Sequence, residues 1–86
     1  MYKTILEPQA LKDIEFWTQT NIKMLKKIFE LIKQCTTTPY EGIGKPEALK
    51  YDLQGFWSRR ITDEHRLIYT IKDESLYIIS CKGHYL

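Results

Sequence analysis

This 86-residue sequence carries almost no excess charge of either sign, with 13 Lys and Arg set against 11 Asp and Glu for a formal net charge of +2. A field that weak excludes tight, nonspecific binding to a long nucleic acid on charge alone. Cysteine is scarce as well. Cys35 and Cys81 stand apart, with no CxxC and no paired Cys/His spacing, which argues against zinc and reads as two reduced core residues. No apolar run approaches the ~18–20 residues that cross a bilayer, so no membrane partner is expected. Met1-Tyr2-Lys3-Thr4-Ile5-Leu6-Glu7 lacks the apolar core of a signal peptide, and a cytoplasmic location is the expectation. Repeats, low-complexity tracts and linkers are missing too. What is present, 43% hydrophobic and 13% aromatic residues, suits one folded domain over residues 1–86. Its stability margin should be modest at this size.

The hydrophobic pattern divides the chain in two. Tyr2 to Leu6 reads as a short strand, and Pro8 suits the first turn of a helix, where its missing N–H costs nothing. Ala10, Ile14 and Trp17, with Leu11 beside them, give that helix one apolar face. Thr20 or Asn21 can cap a second helix, whose stripe runs through Ile22, Leu25, Phe29 and Ile32 and is widened by Met24 and Ile28. Lys23, Lys26, Lys27 and Lys33 crowd this segment against a single Glu30, as either a solvated face or a phosphate-contacting one. The helix should end near Cys35, before three threonines and Pro39.

From Thr36 to Asp52 no period survives, and Pro39, Gly42, Gly44 and Pro46 punctuate a loop long enough to be functional. Leu53 to Ile61, Arg66 to Ile71 and Leu76 to Lys82 then read as three strands of an antiparallel meander, turning at 62–65 and 72–75. The expected class is α+β: an N-terminal strand and a two-helix hairpin packed on a mainly antiparallel sheet that ends in a three-strand meander. Alternation puts Leu67, Tyr69 and Ile71 on the core face and Arg66 on the open face. In the last strand it puts Tyr77, Ile79 and Cys81 inside, leaving Ser80, Lys82 and His84 outside. Arg60, Arg66 and His84 should then converge over one surface, unless a bulge changes the phase.

Four segments carry a resemblance: Thr38-Pro39-Tyr40-Glu41-Gly42-Ile43-Gly44-Lys45-Pro46-Glu47, Gly55-Phe56-Trp57-Ser58-Arg59-Arg60-Ile61, Glu64-His65-Arg66-Leu67 and His84-Tyr85. Together and in this order they resemble the YoeB-type toxins of the RelE superfamily, across essentially the whole chain. The resemblance implies a RelE-like fold related to the microbial ribonucleases. It implies an endoribonuclease that enters the ribosomal A site and cuts messenger RNA, with a cognate antitoxin that wraps the toxin and covers its site. Operator DNA is met only through that complex, and some members are homodimers. Matched motif by motif, the catalytic set falls on Glu47, Arg66 and His84, and the substrate- and phosphate-binding set on Lys50, Arg60 and Tyr85. Leu86 extends one residue beyond the usual Tyr ending.

The implied chemistry is attack of an RNA 2′-hydroxyl on the adjacent phosphorus, with no metal or other cofactor. Glu47 would take the hydroxyl proton, Arg66 would hold the charge developing on phosphorus, and His84 would protonate the leaving 5′-oxygen. Lys50 and Arg60 would hold phosphates, and Tyr85 would stack on a base. Taken one at a time these residues have plainer uses: Arg66 also fits an ion pair with Asp63 or Glu64. His65, in a turn, reads as solvated or structural, Trp17 and Trp57 as core, and Arg59 as structural or ribosome-contacting. The alternative function is a non-catalytic binding module that acts only within a protein or operator-DNA complex.

Overall fold

Asn21 decides where the first helix stops and the second begins. The computed structural model describes residues 1–84. In it Pro8 opens α1 (Pro8–Thr20), and the Asn21 N–H closes that helix on the Trp17 carbonyl at 2.9 Å. The Asn21 side chain then caps α2 (Ile22–Cys35), its Oδ1 accepting from the Lys23 and Met24 N–H groups at 3.2 and 3.4 Å. Five strands follow the order β1-β5-β4-β3-β2: β1 (Lys3–Leu6), β5 (Ser75–Ser80), β4 (Arg66–Lys72), β3 (Trp57–Arg60) and β2 (Glu47–Ala48). β1 lies parallel to β5, and the remaining pairs are antiparallel. No helix among the described residues is long and apolar enough to cross a membrane.

The core lies between the helices and one sheet face. Ala10 and Trp17 of α1 and Leu25, Ile28, Leu31, Ile32 and Cys35 of α2 meet Leu67, Tyr69, Leu76 and Ile78. The expected helical stripes are off in places. Leu11, Ile22 and Phe29 are about half exposed, whereas Leu31 is buried and Asp13 takes an inward position on α1. Asp13 is tolerated there because both oxygens are used: Oδ1 accepts from the Gln9 amide and Oδ2 from the Cys81 N–H, each at 2.9 Å. Trp17 adds a second tether, its indole N–H donating to the Cys81 carbonyl at 2.9 Å.

The last strand departs from simple alternation. Ile68 pairs with Ser80 but Tyr69 pairs with Ile78, so Ile79 is an extra residue that bulges out of the ladder. Leu76 and Ile78 therefore form the buried row. Tyr77 and Ile79, expected inside, instead line a shallow groove on the opposite face. After the bulge the phase is restored, and Cys81 is buried as expected. The β4–β5 turn is a two-residue hairpin with Asp73 and Glu74 both at positive φ, 51° and 61°, the primed geometry that matches strand twist. The span from Thr36 to Asp52 is not wholly irregular: Glu47 and Ala48 pair with Ser58 and Trp57, and Tyr51–Leu53 forms a 3-10 turn. A two-residue strand has too few positions to leave a period in the sequence.

Arg59 holds that span in place. It sits on the core face of β3, fully buried, and donates five hydrogen bonds. Nε reaches the Tyr69 hydroxyl at 3.1 Å, and Nη1 reaches Gln34 Oε1 at 2.6 Å and the Ile43 carbonyl at 3.1 Å. Nη2 reaches the Thr38 carbonyl and, at 2.9 Å, that of Glu41. Those bonds employ every N–H of the guanidinium. The Tyr69 hydroxyl in turn donates a hydrogen bond to the Pro39 carbonyl at 2.6 Å. Gly42 lies so close to this network, at φ 118°, that a Cβ would stand 1.9 Å from Gln34 Oε1. Arg59 is thus structural, one of the two roles expected of it.

Replacing Arg59 by Met should cost at least about 3 kcal/mol of unfolding free energy, because buried carbonyls lose their donors. Arg59→Lys should fare little better, since one ammonium cannot serve so many acceptors in a plane. Urea denaturation decides it, and a Lys variant as stable as the native chain would contradict the network. A second prediction concerns alkali. Burial pushes the Tyr69 phenol up to about 12 against the pull of the Arg59 guanidinium, and burial aided by Asp13 pushes the Cys81 thiol up to about 12. Burial raises the Cys35 thiol as well. The folded chain keeps these protons after the unfolded chain has released them. Stability should therefore hold below the ordinary thiol value and decline as pH rises from there toward about 12. The urea midpoint across that range checks the slope, and both cysteines should react with a thiol reagent only on unfolding.

Candidate active site

Strand register builds the site. Ser58 and Arg60 lie on the outer face of β3, opposite in parity to the buried Arg59. Glu47 of β2 is paired with Ser58, and Arg66 of β4 with Arg60. Directly opposed residues in an antiparallel pair hold their Cβ atoms ~4.5–5.5 Å apart. The two pairs therefore form adjoining rungs on one face. An open cleft of about 350 Å³ lies over them, lined by Lys45, Glu47, Ser58, Arg60 and Arg66.

Two arginines placed directly opposite each other repel, and the 62–65 turn holds both. Arg66 Nη1 donates to the Thr62 carbonyl, to that of Asp63 at 3.0 Å and to that of His65 at 3.3 Å. Arg60 Nη1 lies 3.6 Å from Asp63 Oδ1. In place of the ion pair with Asp63 or Glu64 that was its plainer use, Arg66 takes main-chain oxygens, which orient a guanidinium without cancelling its charge. The Arg60–Asp63 contact is solvent-screened and contributes little. The Arg60 N–H also bonds the Gly44 carbonyl at 2.6 Å, which sets the approach of Lys45 and Glu47 to the cleft.

The expected site residues are distributed unevenly. Glu47, Arg60 and Arg66 share the cleft. Lys50 does not line it; it lies two positions beyond β2, in a neighbouring groove of about 260 Å³ that also includes Glu47. His84 is exposed and is not among the described residues lining the cleft, but the chain reaches it alongside Arg66. The Arg66 N–H donates to the Gly83 carbonyl at 3.0 Å, and the Gly83 N–H donates to His65 Nδ1 at 2.8 Å. Tyr85 and Leu86 lie outside the described residues.

Lys45 and Ser58 join the cleft without having been singled out. Ser58 could have been found from its shared parity with Arg60. Lys45 could not, because a loop residue at φ 49° follows no alternation. Beyond Lys45 and Arg60 the cleft adjoins a groove of about 600 Å³, into which α2 presents Lys23, Lys26 and Lys27. Among the described residues no three His, Cys, Asp or Glu side chains group as a metal site. His65 packs its ring edge-on against Trp17, centroids 4.8 Å apart at 84°.

A two-helix layer on a five-stranded mixed sheet, with this cleft on the face away from the helices, is the microbial-ribonuclease-like α+β architecture of RelE-superfamily toxins. The model of the YoeB-like toxin of bacterial type II toxin–antitoxin systems matches residues 6–85. The chain belongs to that family, and it is the toxin of such a system. The Toxin YoeB of Escherichia coli is 52% identical over 83 residues, covering 96% of this chain and 99% of that protein. A YoeB/ParE toxin structure from Agrobacterium tumefaciens superposes with a TM-score of 0.94 at 44% identity, over 96% of this chain and 99% of the other. Two Staphylococcus aureus structures, a YoeB-YefM complex and a YoeB dimer, superpose with a TM-score of 0.88 at 49% and 48% identity. The complex covers 99% of both chains and the dimer 98% of both.

The cluster of cations predicts an anion site that can be tested without RNA. Inorganic phosphate should shift the amide resonances of Lys45, Glu47, residues 58–60 and Arg66, and added salt should reverse the shifts. Arg66→Ala should abolish them. Shifts of the same size in that variant would mean that the cleft does not bind phosphate through Arg66.

Proposed function

We propose that this toxin is a ribosome-dependent endoribonuclease that cuts messenger RNA in the A site by metal-independent attack of the 2′-hydroxyl. The observation that carries the reading is the single cleft in which one carboxylate, Glu47, meets Lys45, Arg60 and Arg66. In-line attack needs a base on one side of the phosphorus, an acid on the other and fixed positive charge between them. Glu47 is the base. Arg66, already oriented by three carbonyls, donates to the non-bridging oxygens and stays charged throughout the reaction.

His84 is the acid that protonates the departing 5′-oxygen, and its attachment next to Gly83 keeps it within a residue of the Arg66 strand. Arg60 and Lys50 hold the scissile and neighbouring phosphates, and Tyr85 stacks on a base. Atoms balance: the 2′-hydroxyl gives its proton to Glu47 as its oxygen bonds to phosphorus, the bond from phosphorus to the 5′-oxygen breaks, that oxygen leaves with the proton from His84, and the product ends are a 2′,3′-cyclic phosphate and a 5′-hydroxyl. The net charge of +2 fits an enzyme whose substrate is presented on a larger particle rather than captured from solution. The Staphylococcus aureus relatives, seen as a YoeB-YefM complex and as a YoeB dimer, support an antitoxin partner for this chain and a homodimeric form.

Primer extension on messenger RNA from ribosomes exposed to the protein tests the reading. Glu47→Gln, Arg66→Ala and His84→Ala should each slow cleavage by about 10²–10⁴-fold. Intact messenger RNA with the native chain would sink the catalytic reading and favour a module that acts by binding alone.

A further inference from the structure

The sheet releases the chain before the proposed acid is reached. β5 ends at Ser80, yet two of the next residues are fixed by side chains and main chain rather than by a continuing strand. Cys81 is held at its N–H by Asp13 and at its carbonyl by Trp17. Gly83, at φ 78°, has its carbonyl taken by the Arg66 N–H at 3.0 Å and its N–H taken by His65 Nδ1 at 2.8 Å. A backbone N–H can only donate, so Nδ1 is the acceptor and the proton of the neutral ring resides on Nε2. The edge-on contact with Trp17 fixes the plane of the same ring. His65 is therefore clamped between α1 and the residue that precedes His84.

We propose that His65 is a positioning residue, whose bare Nδ1 pins the Gly83 amide and thereby holds His84 beside the strand that carries Arg66. This inference rests on the reading of His84 as the acid. It assigns His65 no contact with substrate. A turn histidine that served packing alone would need its ring but not its acceptor nitrogen. A positioning histidine needs the acceptor, and the two requirements can be separated. His65→Phe keeps an aromatic ring against Trp17 and removes the acceptor. His65→Asn sacrifices the ring but places an amide oxygen near the position of Nδ1.

The full chain and its His65→Phe, His65→Asn and His84→Ala variants should be compared by steady-state cleavage on programmed ribosomes, thermal melting and hydrogen exchange at the Gly83 amide. A displaced acid costs about 10–100-fold in kcat, so His65→Phe should lose that much while KM stays within about twofold. Its Gly83 amide should exchange rapidly. His65→Asn should recover most of the kcat and slow exchange at Gly83 although it melts lower. Native kcat in His65→Phe, or loss of kcat in both variants in step with melting temperature, overturns the proposal. Full activity in His84→Ala overturns it together with the reading of His84. If the native chain cuts nothing, the functional reading fails by itself, and the exchange experiment still decides whether His65 holds the tail: equal Gly83 exchange in all the His65 forms would show that it does not.

Discussion

A guanidinium fully enclosed in protein must find oxygen for each of its hydrogens, and a loop without secondary structure must find donors for its carbonyls. Arg59 and the span from Thr38 to Ile43 answer both needs with the same bonds. Neither half is stable alone: a buried charge without partners is expensive, and a loop of this length loses much conformational entropy when ordered. The consequence reaches the cleft because Arg59 and Arg60 are neighbours on β3. Alternation sends one into the core to anchor the loop and the other outward to line the site, while the Arg60 N–H fixes the end of that loop through Gly44. The position of Glu47 opposite Ser58 follows from this one strand being used on both faces.

The α+β class, the helical hairpin and the meander were legible because each rests on a local signal: Pro8 at a helix start, Asn21 at a cap, and runs of β-branched and aromatic residues between polar turns. Parity also placed Arg60 and Arg66 together correctly, since β3 and β4 pair without interruption. It failed at Tyr77 and Ile79, where one inserted residue reverses the faces and a bulge leaves no mark in composition. The phase of α2 was misjudged for a related reason. Ile22 and Phe29 are as apolar as Leu31, and only tertiary packing decides which of them meets the sheet. Glu47 was found from a motif rather than from any period, and the pairing that seats it is too short to have been seen. Lys50 shows the converse: its motif was legible, but it lines an adjoining groove.

Charge is unevenly distributed in this nearly neutral chain. Acidic residues spread over the surface reduce the total, whereas the sheet and α2 gather cations locally. Lys45, Arg60 and Arg66 stand in the cleft, and Lys23, Lys26 and Lys27 in the groove beside it. Over a Debye length of about 8 Å at physiological salt, such local grouping matters more than the sum. Attraction is then strong at close range and faint at a distance.

Strand β5 lies between β1 and β4 and supplies Leu76 and Ile78 to the floor of the core, so two strands about seventy residues apart must meet before the sheet is whole. Synthesis proceeds from the N-terminus. A nascent chain still lacking these residues leaves β1 with no neighbour and the helices over an unfinished layer. Closure of the sheet therefore waits for β5, the strand that joins β1 to β4.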